Sequence, residues 1–320
     1  MATIRDVARL SGYSITTVSR VLNHSGYVSQ QALRKIKQVM QQLDYVPNET
    51  ARDLSNGQNH KIGVILPQIR TPYFAQILNG VAEAAFSTDY SITLLPSEYN
   101  EQAEVYYLEQ LRRKEYAGLI ITSHGLPLEK LAAYTKYGSL VLCEDPGNIS
   151  LAAVFTDRYA VFIKIFRWLQ QQQIKRIACM FYRPAKSSAT TRLTLTAYQE
   201  IYQTQLAANL VMTGISSPRT AYLAAQKLAQ QVQAPQCILT NSDSNAVAVR
   251  QYYIDQQLPI PIIIGQGYEM ASFAVKLPTI NYHLYELGQK AFEIALADAP
   301  LTTKIKLPAD FISQNDHFIL

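Results

Sequence analysis

Cysteine is scarce in this chain. It occurs three times in 320 residues, at Cys143, Cys179 and Cys237, each in or beside an apolar run. An odd set placed this way reads as reduced core thiols and excludes a disulfide frame. The five histidines are scattered without ligand spacing, so neither a metal site nor a cofactor is expected. No apolar run approaches the roughly 18 residues that span a bilayer. The N-terminus carries no apolar signal core. Together these absences predict a cytoplasmic protein with no membrane association. Catalytic signatures are missing too. Pro67 to Pro72, which follows the first apolar run of the body, contains no glycine, so no phosphate-cradling loop is formed there. There is no nucleophile elbow, and no catalytic residue is assigned. Charged residues make up only 17% of the chain.

What is present starts at the N-terminus. Ile4, Val7 and Ala8 recur at helical spacing and give one short helix an apolar face. Gly12 permits a sharp turn. Ser14 is placed to cap a second helix whose buried side carries Val18, Val21 and Leu22. Ile15, Thr16, Thr17 and Arg20 are left on its exposed face. This is the plan of a helix-turn-helix, in which the second helix enters the major groove and reads base edges near its N-terminus. Ser29 should cap a third helix, with Ala32, Leu33, Ile36, Val39, Met40 and Leu43 closing a three-helix core. Tyr45-Val46-Pro47 ends the helical run, because the residue before proline avoids the helical region. Up to Gly57 there are seven basic residues against four acidic ones, an excess of three. That excess suits contact with phosphates.

Thr3 to Asn23 resembles the DNA-reading segment of the lactose/galactose repressor family of bacterial transcription regulators. Tyr45-Val46-Pro47-Asn48, Ala51-Arg52 and Leu54 match that family's next signature. The resemblance implies that Ser14, Ile15, Thr16, Thr17, Ser19, Arg20, Asn23 and Tyr27 read double-stranded operator DNA. It also implies a hinge helix around Asn48, Ala51, Arg52 and Leu54 that orders on operator DNA and pairs across a dimer axis. Leu54 would then enter the minor groove and kink the duplex. Asp53 departs from the small or hydroxyl residue usual at its position.

From Lys61 onward the pattern alternates apolar strands and helices. Ile62–Leu66, Ser91–Leu95, Ala117–Ile121 and Leu140–Cys143 read as strands, separated by helices over Phe74–Ala85, Glu101–Arg112 and Leu128–Tyr134. A second series begins near Ala153. Its strands are Arg176–Met180, Cys237–Thr240 and Pro261–Gly265. Its helices cover Val161–Leu169, Leu195–Leu206, Ala221–Val232 and Ala246–Tyr253, with Leu284–Leu296 as the last substantial helix. Two such open parallel βαβ sheets in tandem predict an α/β body of two lobes, with a ligand cleft at the carboxyl ends of their strands. The resemblance implies the same body, similar to a periplasmic sugar-binding protein, with crossovers near Phe155, Tyr282 and Ala309. The expected domains are therefore residues 1–46 as reader, 47–58 as hinge, 59–155 with 283–308 as the first lobe, and 156–282 with 309–320 as the second.

Candidate effector contacts are Tyr73, Phe74, Asp145, Asp157, Arg192 and Asp243, with Asp157 alternatively a helix cap and Arg192 and Asp243 alternatively paired with each other. Tyr73 and Phe74 follow the first body strand, where an aromatic can stack on a sugar or base. Arg192 and Asp243 match family residues that bind effector hydroxyls or carboxylates, and both suit charge-assisted contacts. Departures occur at Thr71, where the family has asparagine, at Gln266-Gly267-Tyr268, and at Leu195 or a neighbour, where a glycine is usual. The implied function is that of a homodimeric repressor of a carbohydrate operon, released from a palindromic operator by a small sugar-like inducer. A corepressor, a non-sugar metabolite or a protein partner fits the same architecture. An isolated sugar-binding protein would share the body but lack Thr3 to Leu54. No terminal heptad segment is seen, so dimers paired through the body are expected, with helix residues such as Val81 to Phe86 contributing.

Overall fold

The computed structural model describes residues 2–23, 25–46, 59–297 and 302–313. Two compact units are present, Met1–His60 and Lys61–Leu320.

In the first unit, helix α1 spans Ile4–Ser11, α2 Ile15–Leu22 and α3 Gln30–Gln42. Each begins where the sequence offers a side-chain cap. Thr3 and Asp6 form a reciprocal capping box on α1. Ser14 Oγ accepts the Thr17 amide at 3.1 Å, and Ser29 Oγ the Ala32 amide at 3.3 Å. Such caps satisfy amides that have no partner within the helix. Gly12 ends α1 with φ 75°, a left-handed conformation that turns the chain toward α2. Val7, Ala8, Val18, Val21, Ile36 and Val39 are buried together as the core, as the apolar spacing predicts. The hinge residues Asn48, Ala51, Arg52 and Leu54, with Asp53, lie outside the described residues.

The second unit contains two parallel sheets. The first has six strands: β1 (Lys61–Leu66), β2 (Ser91–Pro96), β3 (Gly118–Ile121), β4 (Ser139–Leu142), β5 (Ala152–Thr156) and β11 (Lys304–Leu307), in the order β11-β5-β4-β3-β1-β2. The second has four: β6 (Ile177–Met180), β7 (Val211–Met212), β8 (Cys237–Leu239) and β9 (Ile262–Ile264), ordered β7-β6-β8-β9. β10 (Thr279–Asn281) and β12 (Asp310–Ile312) form a separate antiparallel pair. Strands β1 and β3 are buried almost throughout, as expected of strands covered on both faces. The segment near Ala153, read from sequence as opening the second series, instead joins the first sheet: β5 pairs with β4 and with β11.

Helices α4 (Pro72–Phe86), α5 (Glu101–Arg112), α6 (Leu128–Ala132) and α12 (Leu284–Leu296) accompany the first sheet. Helices α7 (Arg158–Gln171), α8 (Ala189–Tyr202), α9 (Pro218–Ala229), α10 (Asp243–Asp255) and α11 (Met270–Val275) accompany the second. The closest helix pair is α4 with α12. A Cβ at Gly80 would sit 2.0 Å from the Tyr285 carbonyl oxygen, and one at Gly288 2.1 Å from that of Ile77. Only glycine lets the two backbones touch. This packing corrects one expectation, because Val81 and Ala85 are buried and so are unavailable to a partner. Phe86, at 92% exposure, is available. The three cysteines are free and buried. Burial raises all three thiols and pushes Cys179 up to about 12. Among the described residues no helix is long and apolar enough to cross a membrane.

Candidate DNA-reading surface and effector cleft

On α2 the buried residues are Val18 and Val21. The opposite face presents Ser14, Ile15, Thr16 and Arg20 as exposed side chains, with Thr17, Ser19 and Asn23 partly covered. Ile15 is 48% exposed and Tyr27 is 89% exposed. Exposed apolar side chains on so small a unit suit contact with thymine methyl groups and sugar edges. Asn23 Nδ2 donates to Ser19 Oγ at 3.4 Å. The eight sequence-assigned reading residues thus include five that are plainly exposed, four of them on one helix or its cap.

The second unit encloses a cavity of about 730 Å3 between the two sheets, at the strand ends and helix starts. Tyr73 and Phe74 both line it. Their rings meet edge-on at 5.0 Å, and Phe74 is almost fully buried, so little of its ring is open to a ligand. Thr71 caps α4 without a side-chain hydrogen bond. That contact is missing at the position where the resemblance expects asparagine.

Sequence reasoning passed over the centre of the cavity wall. Arg158, the first residue of α7, donates from Nη2 to the Tyr73 hydroxyl at 2.5 Å. Its guanidinium lies 4.2 Å from the Tyr282 ring centroid and 5.4 Å from that of Tyr73. Tyr282 donates to Gln266 Oε1 at 2.6 Å, and Gln266 Nε2 donates to the Thr240 carbonyl at 2.6 Å. On the first lobe Glu144 accepts from Ser123 Oγ at 2.6 Å, with His124 Nε2 at 3.4 Å. Burial opposes charge on both Glu144 and His124. Their mutual attraction, helped by Ser123 and Arg158 at Glu144 and by the Leu126 carbonyl at His124, outweighs it and holds the carboxyl below and the imidazole above their ordinary values. At the rim Arg183 lies 3.8 Å over the Tyr99 ring and donates to the His124 carbonyl at 3.4 Å. Asn241 and Asn245 face the same space from the second lobe, joined at 2.8 Å.

A buried carboxylate sets this first-lobe wall. Glu104, on α5, accepts from Ser97 Oγ at 3.1 Å, from the Gly125 amide at 2.8 Å and from the Leu126 amide at 2.9 Å. It therefore ties the loop bearing Ser123 and His124 to the one bearing Tyr99.

Four of the expected contacts, Asp145, Asp157, Arg192 and Asp243, are not among the residues lining this cavity. Asp243 is fully buried behind the cavity wall, accepting from Thr279 Oγ1 at 2.5 Å and from the Glu269 amide at 2.7 Å. Its charge is consumed in joining α10 to the following loop. Arg192 is exposed on α8 and donates to the Ala185 carbonyl at 2.9 Å. Asp157 caps α7 through the Ala160 amide at 3.1 Å and pairs with Lys306. Asp145 is exposed and accepts from the Gly147 amide at 2.8 Å. In the last two cases the adjacent residue, Arg158 or Glu144, is the one that faces the cavity. Successive side chains diverge where a chain leaves a strand, so an assignment one position off lands on the wrong side.

Glu269 sits behind the same wall. Its Oε2 accepts from Ser244 at 2.8 Å, while Oε1 has no partner among the described residues. Burial, with Asp243 adding to it, pushes this carboxyl up to about 7 against the restraining Ser244 hydrogen bond.

Comparison with known proteins agrees with both halves. Residues 3–48 match the model for bacterial regulatory proteins of the lacI family. Residues 59–315 match that for periplasmic binding proteins and the sugar binding domain of the LacI family. Catabolite control protein B of Bacillus subtilis (strain 168) is 38% identical over 306 residues, covering 96% of this chain and 98% of that protein. The ribose operon repressor of Escherichia coli (strain K12) is 28% identical over 307 residues, 92% of each. The lac repressor dimer bound to operator and the anti-inducer ONPF superimposes with a TM-score of 0.82 at 20% identity, over 97% of each chain. The capped helix-turn-helix, the two-sheet body and these matches lead to one placement: this chain belongs to the LacI family of DNA-binding bacterial transcriptional regulators.

Proposed function

We propose that the chain is a homodimeric repressor that binds a palindromic operator and is controlled by a small polar ligand held in the cavity. It acts by binding, without catalysis, in the cytoplasm. Residues 1–46 form the reader and 47–58 the hinge. Residues 59–155 with 283–308 make the first lobe, and 156–282 with 309–320 the second. The observation that carries this reading is the union of an exposed reading face on α2 with a polar inter-lobe cavity on one chain. A cavity of about 730 Å3 has room for a mono- or disaccharide-sized ligand. The lac repressor structure, titled as a dimer bound to operator, supplies the arrangement by analogy, and the ribose operon repressor supports a sugar-type effector.

Two measurements test it. Gel-shift titration against a palindromic and a scrambled duplex should show preference for the palindrome. Arg20→Ala should cost roughly 1–3 kcal/mol on the cognate site. Equal binding to both duplexes overturns the specific reader. A ligand found by thermal shift across sugars and related metabolites should then change operator affinity, and Asn245→Ala in the cavity should weaken its effect. A ligand that stabilises both proteins equally overturns the cavity as its site.

A further inference from the structure

We infer that the ligand of this cavity is a small polyhydroxylated anion, a sugar bearing a phosphate or a carboxylate, rather than a neutral sugar. This rests on the reading of the cavity as the effector site and narrows its chemistry. The charged residues lining the cavity are three arginines, Arg70, Arg158 and Arg183, against one carboxylate, Glu144. Glu144 is engaged by Ser123 and His124 and also attracts the Arg158 charge, which leaves Arg70 and Arg183 as the cavity's uncompensated cations. None of the three guanidinium groups makes a direct ion pair with a carboxylate among the described residues. Arg158 is held by the Tyr73 hydroxyl and the faces of Tyr73 and Tyr282. Arg183 is held by the Tyr99 ring and the His124 carbonyl. Aromatic faces and carbonyl oxygens orient a cation without neutralising it.

The backbone adds the same sign. Thr71, Ser188, Ser217 and Ser242 line the cavity, and they are the N-caps of α4, α8, α9 and α10. The positive ends of four helices of 12 to 15 residues therefore converge on it. A neutral sugar closing this space would strip water from guanidinium groups without supplying a counter-charge, which is costly. An anion removes that penalty and can take bidentate contacts from the arginine forks. The asparagines and serines of the opposite wall remain for hydroxyl groups.

The test is calorimetric titration of the full chain with glucose 6-phosphate, fructose 6-phosphate and ribose 5-phosphate, their neutral parent sugars, and glucuronate and gluconate. At least one anion should bind tenfold or more tightly than its neutral parent. The binding should weaken several-fold as potassium chloride is raised from about 50 to 500 mM, since salt screens charge. The phosphate and acid arms identify which anion is preferred. Arg183→Gln should reduce the preference to within about threefold. Arg70→Gln, at an exposed position of the lining, should reduce it in the same direction. A neutral parent binding as tightly as its phosphate and acid forms overturns the anion inference and leaves the effector cavity standing. Binding of none of the three classes overturns both.

Discussion

Glu269→Gln gives the sharpest thermodynamic expectation. In the folded chain this carboxyl is 8% exposed, has one unpartnered oxygen, and titrates near 7, against an ordinary value of 4.5. Below about pH 4.5 the group is protonated in both folded and unfolded chains and contributes nothing. Between about 4.5 and 7 the unfolded chain ionises while the folded one keeps its proton, so stability falls as pH rises. Above about 7 the loss is complete. At about 1.4 kcal/mol per tenfold change in acidity, it amounts to roughly 3 kcal/mol. Glutamine keeps the shape, still accepts from Ser244, and has no charge to lose. The variant should therefore be more stable than wild type by roughly 3 kcal/mol at pH 8 and by less than about 1 kcal/mol at pH 5. For a body of this size that is on the order of 6–12 °C in thermal midpoint at pH 8. Paired thermal melts at the two pH values measure it. A difference independent of pH, or a variant less stable at pH 8, would refute the reasoning.

Gly288→Ala should destabilise the body by several kcal/mol, because its Cβ would press on the Ile77 carbonyl oxygen at 2.1 Å and force α4 and α12 apart; chemical denaturation reads this, and an unchanged midpoint rejects the contact. Glu104→Ala should cost about 2–4 kcal/mol by leaving the Gly125 and Leu126 amides without their acceptor. Its effect on ligand binding should exceed that of an exposed change such as Lys130→Ala, as titration calorimetry can establish. Leu54→Ala should reduce operator bending, measured by end-to-end fluorescence transfer, while leaving the melting of the body unchanged; equal bending assigns Leu54 to a plain linker.

Much of the fold was legible because it rests on local signals. Ser14 and Ser29 each stand one residue before an apolar-periodic run, and each caps a helix. Continuous apolar runs such as Ile62–Leu66, too short for a helix of ordinary length, read as strands covered on both faces, and this one is. The elements that were missed lack such signals. β7 has two residues, and β10 and β12 pair across some thirty positions of sequence. Pairing between distant short segments leaves no periodic trace. The cavity was legible in location but not in membership. Asp243 bonds to Thr279 and to the Glu269 amide, 36 and 26 residues away. Nothing near it in sequence reveals that its charge is spoken for. The resemblance assigned Arg192 and Asp243 by position alone. Arg158 and Glu144 carry no motif, and only their placement at a helix start and a strand end brings them to the wall.

The same contacts set the scale on which a ligand can act. Links that join the lobes around the cavity include Gln76 Nε2 to the Gly267 carbonyl at 2.9 Å, Arg158 Nη2 to the Tyr73 hydroxyl at 2.5 Å and over its ring at 5.4 Å, Arg183 to the His124 carbonyl at 3.4 Å, and Arg183 over Tyr99 at 3.8 Å. Hydrogen bonds of this kind contribute about 0.5–1.5 kcal/mol each, and an accessible cation–π contact about 0.5–2 kcal/mol. Their sum is a few kcal/mol. A ligand that binds one lobe arrangement about a hundredfold better than another supplies nearly 3 kcal/mol of bias. The two quantities are comparable, so an ordinary difference in affinity is enough to shift the lobes. Arg183 takes part in two of these links and also lines the cavity. A ligand that recruits its guanidinium draws on the group that joins the lobes, which couples occupancy to their arrangement. Whether that coupling releases the operator or tightens on it follows from which arrangement binds the ligand better, and the anion titrations repeated with operator present would read that sign directly.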